Sequence, residues 1–270
     1  QSDELSLPYF PPRAEKPDMY LLAVGVSTYR DANINLRYPA EDARAVAAAF
    51  RDIAAPLYGN VRIKVMVNEG ATRSAVMSAL GEISREAKKS DAVVVFLAGH
   101  GDAESDVYYY LPHDADISDL KSSCLSHGDI GAFARGLAAN KVLLLLDTCK
   151  SGAATKGFHA ASLARGLADH RIMARVAREH GIAVFSAAGL SQEAYEIKEL
   201  RHGIFTYCLL EALEARGSEI AEGGIISVAR LLARVSRSTR DTAATHLQLE
   251  QTPIVYMFGD DFSIGKAPKK

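Results

Sequence analysis

The chain has no tryptophan and only three cysteines, Cys124, Cys149 and Cys208, in 270 residues. An odd, scattered set without metal-ligand spacing excludes a disulfide framework or a zinc site, and it suits a reducing, cytoplasmic setting. No stretch approaches the roughly 20 apolar residues of a membrane helix and no signal-peptide grammar is present, so a membrane is not an expected partner. Charge of one sign is lacking too. The formal net charge is -2, with neither a basic patch nor an arginine-rich helix, which sets nucleic acid and anionic surfaces aside. Neither a G-x-G-x-x-G turn nor a phosphate-loop lysine follows the first strand, which argues against a nucleotide binder. The chain begins at Gln1 rather than Met, as a processed fragment would. An upstream regulatory domain or an activating protein therefore stays open as a partner.

What is present is apolar material for one sizeable core, with 48% hydrophobic residues. Residues 1–18 hold four of the nine prolines, Pro8, Pro11, Pro12 and Pro17, and read as a linker or arm. Strands are expected at Met19–Val26, Val61–Val67, Asp91–Gly101, in the run before Cys149, at Ile182–Ala187 and at Thr252–Phe258. A short arm is expected at Tyr108–Leu111. Helices are expected from Pro39 through Phe50, from Thr72 to about Lys88, over Ser126–Ala138, in the second part of Lys156–Arg178, and over Gly203–Ala215 and Ile226–Arg237. Alternation at this spacing predicts parallel βαβ units in a single α/β sandwich over 19–263, with 264–270 as a disordered tail.

Two strands end in reactive side chains. In KVLLLLDTCKSG the apolar run Val142–Leu146 stops at Asp147, leaving Cys149 near the strand's carboxyl end. In DAVVVFLAGHG the same pattern delivers His100 between two glycines. Crevices outside the carboxyl ends of parallel strands are where ligands bind in open α/β sheets. Alone, a thiol in such a place is a small hydrophobe and an imidazole a hydrogen-bonded structural group; together they point to a Cys/His dyad. Cys149 would attack a carbonyl, His100 would serve as acid and base, and the N–H groups of Gly101 and Cys149 would stabilise the oxyanion. Ser186 and Ala187, small residues at the end of the fifth strand, suit pairing with an extended peptide, though packing accounts for their size equally well.

The HG pair after one strand and D-x-C-x-S-G after the next resemble the caspase-like cysteine peptidases, nearest to metacaspases, paracaspases and their bacterial relatives. The His100–Cys149 separation is close to the roughly 50 residues found in caspases. Further similar segments are YLLAVGVSTYRD, PAEDAR, YYYLPHDAD and SAAGLSQEAYEIKELRHGIFTYCLLEAL. The resemblance implies a three-layer α/β/α sandwich around a mostly parallel six-stranded sheet, and a cysteine endopeptidase with regulated activation acting on protein substrates. Lys150 departs from the His often found in bacterial relatives, and a catalytically silent binding or scaffold module is the alternative.

The same resemblance implies an acidic pocket for the residue before the scissile bond, at Asp42, Asp147 and Glu193. Three converging carboxylates would hold arginine or lysine; a pocket for aspartate would need arginines. Each acid also has a plain role, Asp42 as a helix-start charge, Asp147 as a turn residue and Glu193 as a solvated loop acid. Lys156, Arg165 and Arg171 lie where caspase-like enzymes are processed, which makes them self-cleavage candidates. No cofactor is expected to be required. Some metacaspases need calcium, and Asp102, Asp114 and Asp116 are the candidate ligands for it, without the spacing of an EF-hand loop.

Overall fold

The computed structural model describes residues 15–104, 107–150, 171, 174–188, 194–214 and 217–268, without the side chains of 103, 149 and 150. Its centre is an eight-stranded sheet whose main path of six strands is parallel except at one edge. Strand β1 (Met19–Gly25) pairs in parallel with β2 (Val61–Val67) and with β3 (Ala92–Glu104). Next come β6 (Lys141–Lys150), parallel to β3, and β7 (Ala183–Ser186), parallel to β6. The antiparallel edge strand β11 (Ile254–Met257) gives the order β11-β7-β6-β3-β1-β2.

Strands buried on both faces read as unbroken apolar runs, because alternate side chains enter different cores. Val94, Phe96 and Ala98 of β3 point to a core shared with α1 (Pro39–Ala54), α6 (Ile204–Leu213) and α8 (Val228–Leu247). Val93, Val95 and Leu97 enter the opposite core, with α2 (Arg73–Glu86), α4 (His127–Gly136) and the helix α5 at 174–180. Three layers follow directly. The caps agree with the local sequence: Pro39 opens α1, the Thr72 hydroxyl accepts the Ala75 N–H at 3.3 Å, and Ser126 with Asp129 forms a capping box. No helix among the described residues is long and apolar enough to cross a membrane.

Four expectations are corrected. The Cys149 strand does not stop at Leu146, since Asp147–Lys150 stay in register with Ala98–Gly101 of β3. Beyond the dyad, β3 runs on to Glu104 and folds back through β4 (Val107–Tyr110), which pairs with β5 (Leu125–Ser126). The tail is ordered over part of its length. β12 (Ser263–Lys266) pairs with β10 (Ile225–Ser227), its Ile264 is fully buried, and the Tyr58 hydroxyl donates to the Ser263 carbonyl at 2.5 Å. Residues 264–266 are anchored because Gly265 packs against the Ile53 backbone, where a Cβ would come within 2.5 Å of the carbonyl oxygen. Helix α8 also outlasts Arg237. Leu231, Leu232, Val235, Thr239 and Ala243 continue one buried stripe through a polar stretch, until Gln248 turns left-handed at φ 55°.

Candidate active site

The segment Ala98-Gly-His-Gly101 is held from three sides. Gly99 has φ 145°, and a Cβ there would lie 2.7 Å from the Tyr29 hydroxyl oxygen, so a side chain is excluded twice. The same hydroxyl accepts the His100 N–H at 2.8 Å, and the Tyr29 and His100 rings are 5.2 Å apart. His100 is 7% exposed, and its Nε2 is 2.8 Å from the Ile34 carbonyl oxygen. A carbonyl only accepts, so Nε2 carries the hydrogen and Nδ1 is left as the basic nitrogen. Across the ladder, His100 is the register partner of Cys149, placing the two Cα atoms on neighbouring strands roughly 4.8 Å apart. A Cβ on Gly101 would come within 2.8 Å of the Tyr108 hydroxyl oxygen and 3.2 Å of Thr148 Cβ, so close packing alone requires glycine here. Tyr108 in turn donates to the Thr148 hydroxyl at 3.0 Å, tying β4 to the residue before Cys149. Tyr29→Phe is expected to leave the buried His100 N–H unsatisfied and lower stability by about 1–3 kcal/mol, measured by urea unfolding.

Two of the three anticipated acids meet. Asp42, in the first turn of α1, accepts from His202 Nδ1 at 2.5 Å and from the Gly203 N–H at 3.2 Å. Asp147 accepts the Thr206 hydroxyl at 2.6 Å. Gly203 lies between them: a Cβ there would be 2.9 Å from Asp147 Oδ2 and 3.5 Å from Asp42 Oδ2. It is also the cap position of α6 and offers no side-chain cap, so Asp147 holds the Thr206 hydroxyl and N–H in its place. Burial, then the nearby Asp42 charge, pushes the Asp147 carboxyl up to about 7, with Thr206 opposing. Burial also raises Asp42, which the His202 hydrogen bond and charge pull back. A third acid, Glu196 of β8 (Glu196–Ile197), raises both carboxyls while accepting the Arg37 and Tyr38 N–H groups at 3.2 and 3.1 Å.

The sequence as a whole answers to a known pattern. The family model Peptidase_C14, the caspase domain, matches residues 19–260. The chain belongs to the caspase domain family. A crystal structure of protein GSU0716 from Geobacter sulfurreducens has the same fold, with a TM-score of 0.59 at 17% identity over 90% of this chain and 94% of that one. No curated protein matches the sequence significantly.

Within this caspase domain the remaining anticipated residues divide. Glu193, Lys156 and Arg165 lie outside the described residues, as do the side chains of Cys149 and Lys150, and Arg171 is exposed. At Ser186 and Ala187, the candidates for peptide pairing, the backbone is already engaged within the fold. Ser186 is flanked by Leu146 of β6 and Ile254 of β11. The Ala187 N–H bonds the Leu146 carbonyl at 2.8 Å, and its own carbonyl accepts from the buried Gln251 Nε2 at 3.0 Å. The acids proposed for calcium are not brought together either. Asp114 accepts the Arg73 N–H at 2.8 Å, Asp116 holds Ser118, and Asp102 sits in the β3–β4 arm opposite Tyr109. No group of three or more His, Cys, Asp or Glu among the described residues could hold a metal. Tyr29, the Ile34 carbonyl, Glu196, His202 and Thr206 are the participants that sequence reasoning missed. Only the His-Gly pair opening the helix at Ile204 left a visible signal, a polar residue beside a glycine at a helix start.

Proposed function

We propose that this caspase domain is a cysteine endopeptidase that cleaves protein substrates after arginine or lysine. The observation that carries the reading is the meeting of two buried carboxylates, Asp42 and Asp147, around Gly203, on the strand that bears Cys149 two residues later. A guanidinium or ammonium entering there would gain charge-assisted hydrogen bonds and would offset the burial, and after it the Asp42 charge, that push Asp147 up to about 7.

In the reaction, His100 Nδ1 takes the Cys149 thiol proton and the sulfur bonds to the scissile carbonyl carbon. The N–H groups of Gly101 and Cys149 serve as donors to the oxyanion. The C–N bond then breaks as the imidazolium returns the proton to the leaving amine. Water attacks the thioester carbon, its proton passing to Nδ1; the C–S bond breaks to release the carboxylic acid, and the proton returns from Nδ1 to the sulfur. The Ile34 carbonyl favours this cycle because it fixes the tautomer and steadies the imidazolium. The substrates are proteins with arginine or lysine in accessible segments, in a cytoplasmic setting, and self-cleavage at Lys156, Arg165 or Arg171 is the route by which activity would be regulated.

Peptides identical except for Arg, Lys or Asp before the scissile bond test the specificity. Arginine and lysine peptides are expected to be cleaved at least about 100-fold more efficiently than the aspartate peptide, in line with leaving a buried carboxylate unpaired. Faster cleavage after aspartate would reverse the assignment.

A further inference from the structure

The pocket already contains a titratable partner for one of its acids. His202, on β9 (His202–Gly203), places Nδ1 2.5 Å from Asp42 Oδ1, with side-chain exposures of 23% and 3%. The other Asp42 oxygen receives the Gly203 N–H, so one dipeptide grips the carboxylate at both ends. Gly203 at the same time abuts Asp147 Oδ2, which leaves two buried carboxylates on either side of one glycine. Carboxylates so placed favour a proton on one of the two, because both cannot ionise in a poorly solvated space without compensation. That proton would have to leave before an arginine could bind both acids.

We propose that His202 is a positioning residue for the basic-residue pocket: its imidazolium is the internal counter-ion that keeps Asp42 ionised beside Asp147, so that substrate binding need not expel a proton from Asp42. The proposal rests on the reading of this pocket as a seat for arginine or lysine. The charges around His202 agree with it. The hydrogen bond and charge of Asp42 raise the imidazole above its ordinary value against desolvation; Glu214 at the end of α6 adds to the rise and Arg201, next in the chain, opposes it. Glu196 from β8 adds negative charge against both carboxylates, which makes a resident cation more necessary. Gly203 is fixed at its position by the same arrangement, since any side chain would strike the Asp147 carboxylate.

His202→Asn tests this, because the asparagine amide stands where Nδ1 stands and still donates to Asp42 but cannot carry charge. The expected result concerns KM for the arginine peptide measured across the range from acid to alkaline pH. In the wild type KM rises as pH falls through the Asp147 titration near 7. In His202→Asn that rise moves up by about one pH unit, so KM just below neutrality is about 10-fold higher, while kcat and alkaline KM are unchanged. A KM profile that does not move, or a loss in kcat at every pH, overturns the proposal. A second measurement does not depend on the variant folding: NMR titration of the wild-type His202 imidazole is expected to give a value above 6.5, and a value at or below it also overturns the proposal. The two ideas fail differently. Wild-type enzyme that does not prefer arginine over aspartate peptides removes the pocket reading itself, whereas an arginine preference with an unmoved profile removes only the role of His202.

Discussion

Alanine at Cys149 is expected to reduce cleavage of an arginine peptide to background, and alanine at His100 to slow it by about 10²- to 10⁴-fold, the usual contribution of a positioned acid and base. The thiol is the bond-forming atom and nothing in the described site replaces it. The imidazole is less absolute, because a fraction of the thiol ionises unaided near neutral pH. His100 is also a buried group bound to the Ile34 carbonyl, so His100→Ala leaves that carbonyl short of a donor. His100→Gln, whose longer side chain brings an amide N–H to the position of Nε2, is therefore the companion variant. Cys149→Ala and His100→Gln should remain near wild-type stability in urea unfolding while losing turnover. Labelling by a peptide electrophile ending in arginine separates the roles. Wild type and His100→Gln should be modified at Cys149, the latter slowly, and Cys149→Ala not at all. Turnover surviving in Cys149→Ala would end the peptidase proposal.

How far the chain could be read without a structure follows from the range of each interaction. β3 and β6 were legible because a strand buried on both faces must be apolar at consecutive positions, and Val93–Leu97 and Val142–Leu146 are. The polar residues after those runs were equally plain, and the parallel register then sets His100 opposite Cys149. The continuation of β6 through Asp147 was not legible. Its pairing depends on β3 running alongside, and a charged residue inside a strand looks like its end until Thr206 and the start of α6 are seen to receive the carboxylate.

Contacts across the chain were least accessible. Asp42 and His202 are separated by 160 residues, and Glu196 reaches back to Arg37 and Tyr38 at the start of α1. A single sequence carries no mark of such a pairing. Gln251 was hidden for the same reason. A lone polar residue between a helix and an edge strand gave no hint that its amide closes off Ala187. The glycines show the opposite case: Gly99 and Gly101 were visible as flexible positions, but the reasons for them, the hydroxyls of Tyr29 and Tyr108, come from the fold.

Asp147→Asn is expected to do two opposite things, and their combination is the sharper test of the pocket. For an arginine peptide, kcat/KM should fall by about 10²- to 10³-fold at pH 8, the consequence of removing the charged partner of a desolvated cation. Stability at the same pH should rise. A carboxyl whose folded value is raised from 3.8 to about 7 binds its proton more tightly in the native state, so its burden on folding is absent below about pH 4, grows as pH rises, and is complete above about pH 7. Three units correspond to about 4 kcal/mol as an upper bound. Asparagine carries no such burden and still accepts from the Thr206 hydroxyl, so its advantage in urea unfolding should be largest at pH 8 and vanish toward pH 4. A site that is less stable for the sake of a charge is what a binding pocket requires and a purely structural turn does not. If Asp147→Asn instead destabilises the chain at pH 8, or leaves arginine cleavage intact, Asp147 is a capping residue for α6 and the substrate's cation must be held elsewhere.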